Sequence, residues 1–262
     1  MFHIIEKRLW MSCLILCALG ASTAAWSYDF VATLPMGTHV VGGGSSAPGY
    51  GSDSWKHDGG SDKSEFYLPP SVLFGRSITI GDLASVSWWT NKPPTTGTAV
   101  DWYLAIYTDV TRLNSEPYFT GLTVTPNTWH QWSSNDPSNP LRFFDADRIG
   151  GLYGSYTDPT LSAITSGPID WKSYGYSLAP ARDYRTETIK YFSFQTGSGW
   201  SQGFAGMLDG FEVTLKGTNE VGRVNFEVVP EPSSLLVGCG LLGLVFGLKR
   251  RQSRRTGAPR QS

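Results

Sequence analysis

Phe211-Glu212-Val213-Thr214-Leu215, then Lys216-Gly217-Thr218-Asn219-Glu220-Val221-Gly222, then Arg223-Val224-Asn225-Phe226-Glu227-Val228 is the stretch that decides the fold. Phe211, Val213 and Leu215 fall on one side of an extended chain, and Glu212 and Thr214 on the other. Val224, Phe226 and Val228 repeat the pattern against Arg223, Asn225 and Glu227. Alternation of this kind gives a strand with one buried and one wet face. The glycine- and asparagine-bearing heptapeptide between the two runs supplies the turn.

Working outward, residues 77–80, 84–90, 101–108 and 187–194 read as further strands. Weaker signals lie at 29–33, 66–68 and 121–125. Gly, Pro, Asn and Asp separate them, and no long helical periodicity appears. Many short strands with turn signals predict an all-β fold, an antiparallel jelly-roll-like β-sandwich. Residues 42–62 are rich in Gly, Ser and Asp and read as a long surface loop. Residues 135–142 and 157–185 read as further loops, the second with a short helical turn. With no internal repeat and no linker, residues 26–228 form one domain.

Both ends of the chain carry a different message. Lys7 and Arg8 precede an apolar run at 9–19 and a small-residue stretch at 20–25, the layout of a signal peptide over residues 1–25. It implies the Sec translocon and a signal peptidase as transient partners. At the other end, residues 229–262 contain Pro230-Glu231-Pro232, an apolar helix over 233–248, and the basic cluster Lys249-Arg250-Arg251. A helix of that length spans roughly 24 Å, a short crossing of a bilayer core of about 30 Å. Lys249, Arg250 and Arg251 act as a cytoplasmic stop by the positive-inside bias. On membrane physics alone an uncut single-span anchor is equally consistent.

This tripartite terminus resembles the PEP-CTERM sorting signal of Gram-negative bacteria. The resemblance implies recognition of Pro230, Glu231 and Pro232 by an exosortase. It also implies passage through the inner membrane to the cell surface or extracellular matrix of an organism that makes exopolysaccharide. It covers about 30 residues and is silent on the chemistry of 26–228.

Removing the two ends changes the charge balance. The signal peptide takes two basic residues and one acidic, and the tail takes six basic and one acidic. Of the 21 basic and 22 acidic residues, 13 and 20 fall in 26–228, a net charge of −7. Such a domain is unsuited to neutralising phosphates, so nucleic acid is not an expected partner. The three cysteines, Cys13, Cys17 and Cys239, all lie in the terminal segments. The domain therefore has no disulfide framework and no thiolate chemistry.

Catalytic motifs are weak. Gly199-Trp200-Ser201-Gln202-Gly203 has the spacing of a nucleophile elbow, but the histidines are His3, His39, His57 and His130, and none follows Ser201. No pair of acidic residues at even spacing on a strong strand suggests a glycosidase cleft. The expectation is a non-enzymatic protein without a resident cofactor. Asp53, Asp58 and Asp62 in the Gly/Ser loop are the candidates for calcium, the alternative being solvated acidic turns.

The aromatics carry the remaining signal. Nine tryptophans follow the signal peptide. Val86 and Trp88 read as core, and Trp89 shares the wetter face with Ser85 and Ser87. Trp102, Leu104 and Ile106 read as core, with Tyr103 and Tyr107 opposite. Were these strands neighbours, Trp89, Tyr103 and Tyr107 would form one aromatic surface for sugar rings, and a polysaccharide would be the partner. Trp88-Trp89-Thr90, Asp101-Trp102-Tyr103 and Leu208-Asp209-Gly210-Phe211 also weakly resemble concanavalin A-like sandwiches, which implies a fold and not a function. The expected role is a structural or adhesive surface protein. A secreted carbohydrate-active enzyme and a membrane-anchored spacer are the alternatives.

Overall fold

The computed structural model describes residues 27–32, 40–60, 63–94, 100–149, 154–176, 180–197 and 204–227. The signal-peptide, sorting-motif and membrane-helix assignments, the elbow-like Gly199–Gly203 segment and Asp62 lie outside the described residues. Among the described residues no helix is long and apolar enough to cross a membrane.

Two β-sheets stack on each other. The larger has seven strands: β1 (Ser27–Ala32), β2 (Val40–Gly42), β3 (Trp55–His57), β5 (Leu83–Asn91), β8 (His130–Ser133), β11 (Met207–Leu215) and β12 (Val221–Phe226). The smaller runs β4-β10-β6-β7-β9, from β4 (Glu65–Leu68), β10 (Tyr191–Gln195), β6 (Tyr103–Tyr107), β7 (Arg112–Ser115) and β9 (Phe144–Asp145). Short helices α1 (Pro70–Phe74) and α2 (Leu161–Ser166) sit between strands. The all-β sandwich expected from alternation is therefore the observed architecture.

β11 organises the larger sheet. β5 lies along one side of it, with β8 beyond. On the other side β3 pairs with its first residues and β12 with its last. The ladder to β5 breaks between Asp209 and Glu212, where two residues of β11 oppose one of β5. Gly210 occupies the left-handed region here, φ 59°. A Cβ at this position would come within 2.6 Å of Tyr50 and 2.8 Å of Trp89. Glycine thus meets both the dihedral and the space that this bulge demands.

The core is the aromatic seam between the sheets. Trp88 of the large sheet meets Phe194 of the small one edge-on at 5.6 Å, and Phe211 meets Phe192 and Phe194 at 5.4 and 4.9 Å. Trp55, Phe66 and Phe226 extend the seam. Edge-to-face packing of this kind suits the ring quadrupoles.

Several expectations are corrected. Residues 42–62 do not form one long loop. β2 and β3 pair as a hairpin, and the connection between them is bonded to the sheet behind it, through Ala47 N–H to Asp209 at 2.8 Å and the Tyr50 hydroxyl to Glu212 at 2.6 Å. Residues 121–125 contain no strand. Residues 77–80 contribute only an isolated bridge, Thr79 to Thr188, before a 3-10 turn capped by Asp82. The sheets are not wholly antiparallel, because β1 runs parallel to β12. Asp101, within the stretch read as a strand at 101–108, precedes β6 and is buried, and it accepts bonds from the Thr90 hydroxyl and from Trp102 N–H, each at 2.8 Å.

The face assignments predict an asymmetry between neighbouring tryptophans. Trp88→Ala is expected to cost about 3–5 kcal/mol, the range for a buried large aromatic. Trp89→Ala, at a half-buried position, is expected to cost less than half of that. Equal losses in urea denaturation would refute the assignment.

Candidate functional site

The outward face of the smaller sheet is where the exposed aromatics gather. Phe66, Phe192, Phe194, Leu104 and Ile106 point into the seam, so their alternates point away from it. The pairing registers place Tyr67, Ser193, Ala105, Asn114 and Phe144 in one row across all five strands. Tyr191, Tyr107 and Arg112 form a second row, and Glu65, Gln195 and Tyr103 a third. Glu116 follows β7 in extended conformation, φ −107° and ψ 130°, and continues the outward alternation of Arg112 and Asn114.

Tyr67 and Tyr191 are 43% and 40% exposed. Tyr118 and Tyr156, 38% and 49% exposed, stand beside Phe119, which packs on Phe144 at the β9 edge of the same face. Among the described residues, the four large exposed aromatic side chains therefore belong to one surface. Five strands at about 4.8 Å spacing make that surface roughly 19 Å wide.

A hydrogen-bonded lattice holds the rings. Gln195 is buried at the centre. Its Oε1 accepts from the Tyr103 hydroxyl at 2.8 Å, and its Nε2 donates to the Tyr107 hydroxyl at 3.0 Å and to Ser193 Oγ at 2.9 Å. Arg112 also bonds the Tyr107 hydroxyl. Tyr67 packs against Tyr107 and Tyr191, both at 5.8 Å between centroids, and its hydroxyl donates to Glu65 at 3.1 Å. Lys63 pairs with the same carboxylate. Burial and the neighbouring carboxylates push the Tyr67 and Tyr103 phenols upward, so both stay protonated donors.

Glu116 differs from the other acids of this face. It accepts no hydrogen bond and makes no ion pair among the described residues, and desolvation pushes its carboxyl up to about 7. The register sets it opposite Tyr103, whose own phenol feels it. Beside it, Asn114 Oδ1 and Arg112 Nε are buried without partners. An unmet buried polar atom costs roughly 1–3 kcal/mol, and these two sit at successive outward positions of β7. Glu65 and Glu116 lie three strand spacings apart, about 14 Å between backbones, with Tyr103 feeling both carboxylates.

Tyr103 and Tyr107 thus sit together as the alternation implied, but Trp89 does not join them. β5 and β6 are in different sheets. Trp89 lies on the far side of the sandwich, half-covered beside Tyr50 at Gly210. Tyr67 and Tyr191 were not legible as partners, because only strand pairing brings them to Tyr107. Trp132 is buried, its Nε1 donating to Thr90 Oγ1 at 2.7 Å. Of the calcium candidates, Asp53 accepts from Gly44 N–H at 2.7 Å across the β2–β3 connection, and Asp58 caps a turn by accepting from Gly60 N–H at 2.8 Å. Among the described residues no three potential metal ligands come together.

Buried carboxyls elsewhere add a pH dependence. Burial raises Asp101 to about 6, against the opposing influence of Lys92 and its two hydrogen bonds, and it raises Asp209 to about 6. With Glu116, these groups bind protons in the folded state that the unfolded chain has released. Stability is therefore expected to fall as pH rises from about 4 through 7. Glu116→Gln should raise the melting temperature at pH 8 and leave it nearly unchanged at pH 4. An equal shift at both values would show that Glu116 is not the desolvated group. Compared with known proteins, the chain matches no family model, no curated protein and no solved structure.

Proposed function

We propose that the chain is an exported surface or matrix protein whose β-sandwich binds polysaccharide through the outward face of the smaller sheet. The observation that carries this reading is the gathering of Tyr67, Tyr191, Tyr118 and Tyr156, with half-buried Tyr103 and Tyr107, on one face. Sugar rings present C–H faces that stack on aromatic rings and hydroxyls that need polar partners. A surface that sets tyrosines beside the part-exposed Glu65 and Arg112 side chains offers both. The role is structural or adhesive, a jelly-roll-like binding module with no chemistry of its own.

The setting comes from the sequence ends. Secretion by the segment at 1–25 and sorting at Pro230-Glu231-Pro232 by an exosortase would deliver the domain to the polysaccharide matrix. The short apolar run at 233–248 and Lys249-Arg250-Arg251 would hold it in the inner membrane until then. The net charge of −7 on 26–228 disfavours nucleic acid and does not impede neutral glycans.

Two experiments test this. Binding of the full chain to the producing cells' exopolysaccharide, measured by co-sedimentation, is expected to drop roughly ten-fold in the Tyr67→Ala, Tyr191→Ala double variant, on the scale of two lost stacking contacts. Trp89→Ala should bind as the parent does. Unchanged binding in the tyrosine variant would remove the glycan reading. Separately, Glu231→Ala should accumulate at full length in the inner membrane, and normal processing of that variant would remove the sorting reading.

A further inference from the structure

Tyr118 and Tyr156 form a pair that the sandwich brings together from two separate turns. Tyr118 lies in a 3-10 turn, Pro117–Thr120, which Pro117 opens and Gly121 closes in the left-handed region, φ 74°, its N–H bonded to Tyr118 O. Tyr156 lies in the turn 155–158, where Asp158 donates its N–H to Ser155 O at 3.1 Å and its Oδ2 accepts from Ser155 N–H at 2.6 Å. Asp158 is buried and its Oδ1 accepts from the Tyr176 hydroxyl at 2.8 Å, so this turn is anchored to the interior. Both phenol rings rest on Phe119, at 5.3 and 6.1 Å between centroids, and Phe119 rests on Phe144 at 5.9 Å. The two phenols are 5.6 Å apart with their planes at 52°. A side-chain hydrogen bond joins their hydroxyls and raises the Tyr156 phenol. Both rings are exposed.

From this geometry we infer that Tyr118 and Tyr156 are a site of oxidative cross-linking, at which hydrogen peroxide and a haem peroxidase convert the pair into an intramolecular dityrosine. The peroxidase takes one electron and the hydroxyl proton from each phenol, and hydrogen peroxide is reduced to two water molecules. The two phenoxyl radicals pair their electrons in a bond between the ring carbons next to the hydroxyl-bearing ones. Each of those carbons then passes its hydrogen to the oxygen of its own ring, and both phenols are restored. The inference does not rest on the glycan reading. The bond between the hydroxyls gives the first phenol oxidised a path for its proton. Exposed rings on short turns also change rotamer quickly, so the reacting carbons can meet. The nearest rival, Tyr67 with Tyr107, has rings 5.8 Å apart and a hydroxyl bond as well. Tyr107, however, is half-buried in β6 with its hydroxyl held by Gln195 and Arg112, and the Tyr67 hydroxyl donates to Glu65. Tyr191 meets Tyr67 edge-on, at 81°. A link between Tyr118 and Tyr156 closes a loop of about 38 residues, a covalent staple in a domain whose residues 26–228 include no cysteine.

The test uses the full-length chain in a peroxide-free detergent, dilute enough to stay monomeric, treated with a haem peroxidase and one equivalent of hydrogen peroxide. The monomer is expected to gain dityrosine fluorescence. Its proteolytic digest should yield one joined peptide pair, carrying Tyr118 and Tyr156 and lighter than the two separate peptides by two hydrogens. The oxidised monomer should melt about 5 °C or more above the untreated chain, on the scale of a cross-link closing a loop of this size. Tyr118→Phe and Tyr156→Phe keep the ring and remove the hydroxyl, and each is expected to lower monomer dityrosine at least ten-fold. Full yield in either variant, a joined pair mapped to other tyrosines, or no dityrosine in the monomer would overturn the site. A link at Tyr118 and Tyr156 without a rise in melting temperature would overturn the staple. Neither result bears on polysaccharide binding by the untreated chain, so failure here is distinguishable from failure of the glycan reading.

Discussion

Asp209 is the point on which the larger sheet depends. Its carboxylate is fully buried and accepts from three backbone N–H groups, those of Ala47, Gly210 and Phe226. These belong to the connection between β2 and β3, to the bulge in β11, and to β12. One side chain therefore joins the places where β11 exchanges β3 for β12 as its partner on one side. In a domain with no cysteine, such a buried anchor does what a cross-link does elsewhere. Three donors offset part of the desolvation of the charge, yet the carboxyl still rises to about 6. Geometry is maintained here at some electrostatic cost.

The same trade recurs around the seam. Asp101 receives Thr90, which receives Trp132, so a buried acid fixes the pairing of β5 and β8 beneath it. Asp145 receives Tyr184, which receives Trp171, and Arg182 stacks 5.3 Å from the Tyr184 ring centroid. The aromatics fill volume while their polar ends are tied down by carboxylates. This arrangement accounts for an acidic composition that is not simply a charged exterior. Several of the acids counted in the domain's negative charge are structural acceptors.

What the sequence made legible follows from period. The end of β11 and β12 alternate apolar and polar residues, and β5 and β6 place their largest apolar side chains at every second position, so their buried faces were readable directly. β2, β3 and β9 have two or three residues, too few for a period to show. β7 reads Arg-Leu-Asn-Ser, and its outward positions are polar groups that resemble a turn. The site suffered the same limit. Tyr103 and Tyr107 lie on one readable strand. Tyr67 sits on the short β4, Tyr191 opens β10, and Glu116 lies beyond the end of β7, so their convergence is a property of pairing across distant segments. Trp89 misled because alternation tells which face a residue takes but not which sheet the strand joins.

The parallel pairing of β1 with β12 joins the first strand of the domain to the last. A chain that emerges from a ribosome or a pore with its N-terminus leading exposes β1 nearly 190 residues before its partner arrives. Closing so long a loop is slow, and an unpaired strand edge in the meantime invites wrong partners. The sandwich can complete itself only when residues 221–226 are out. Folding of the domain is thereby timed to the delivery of its own final strand.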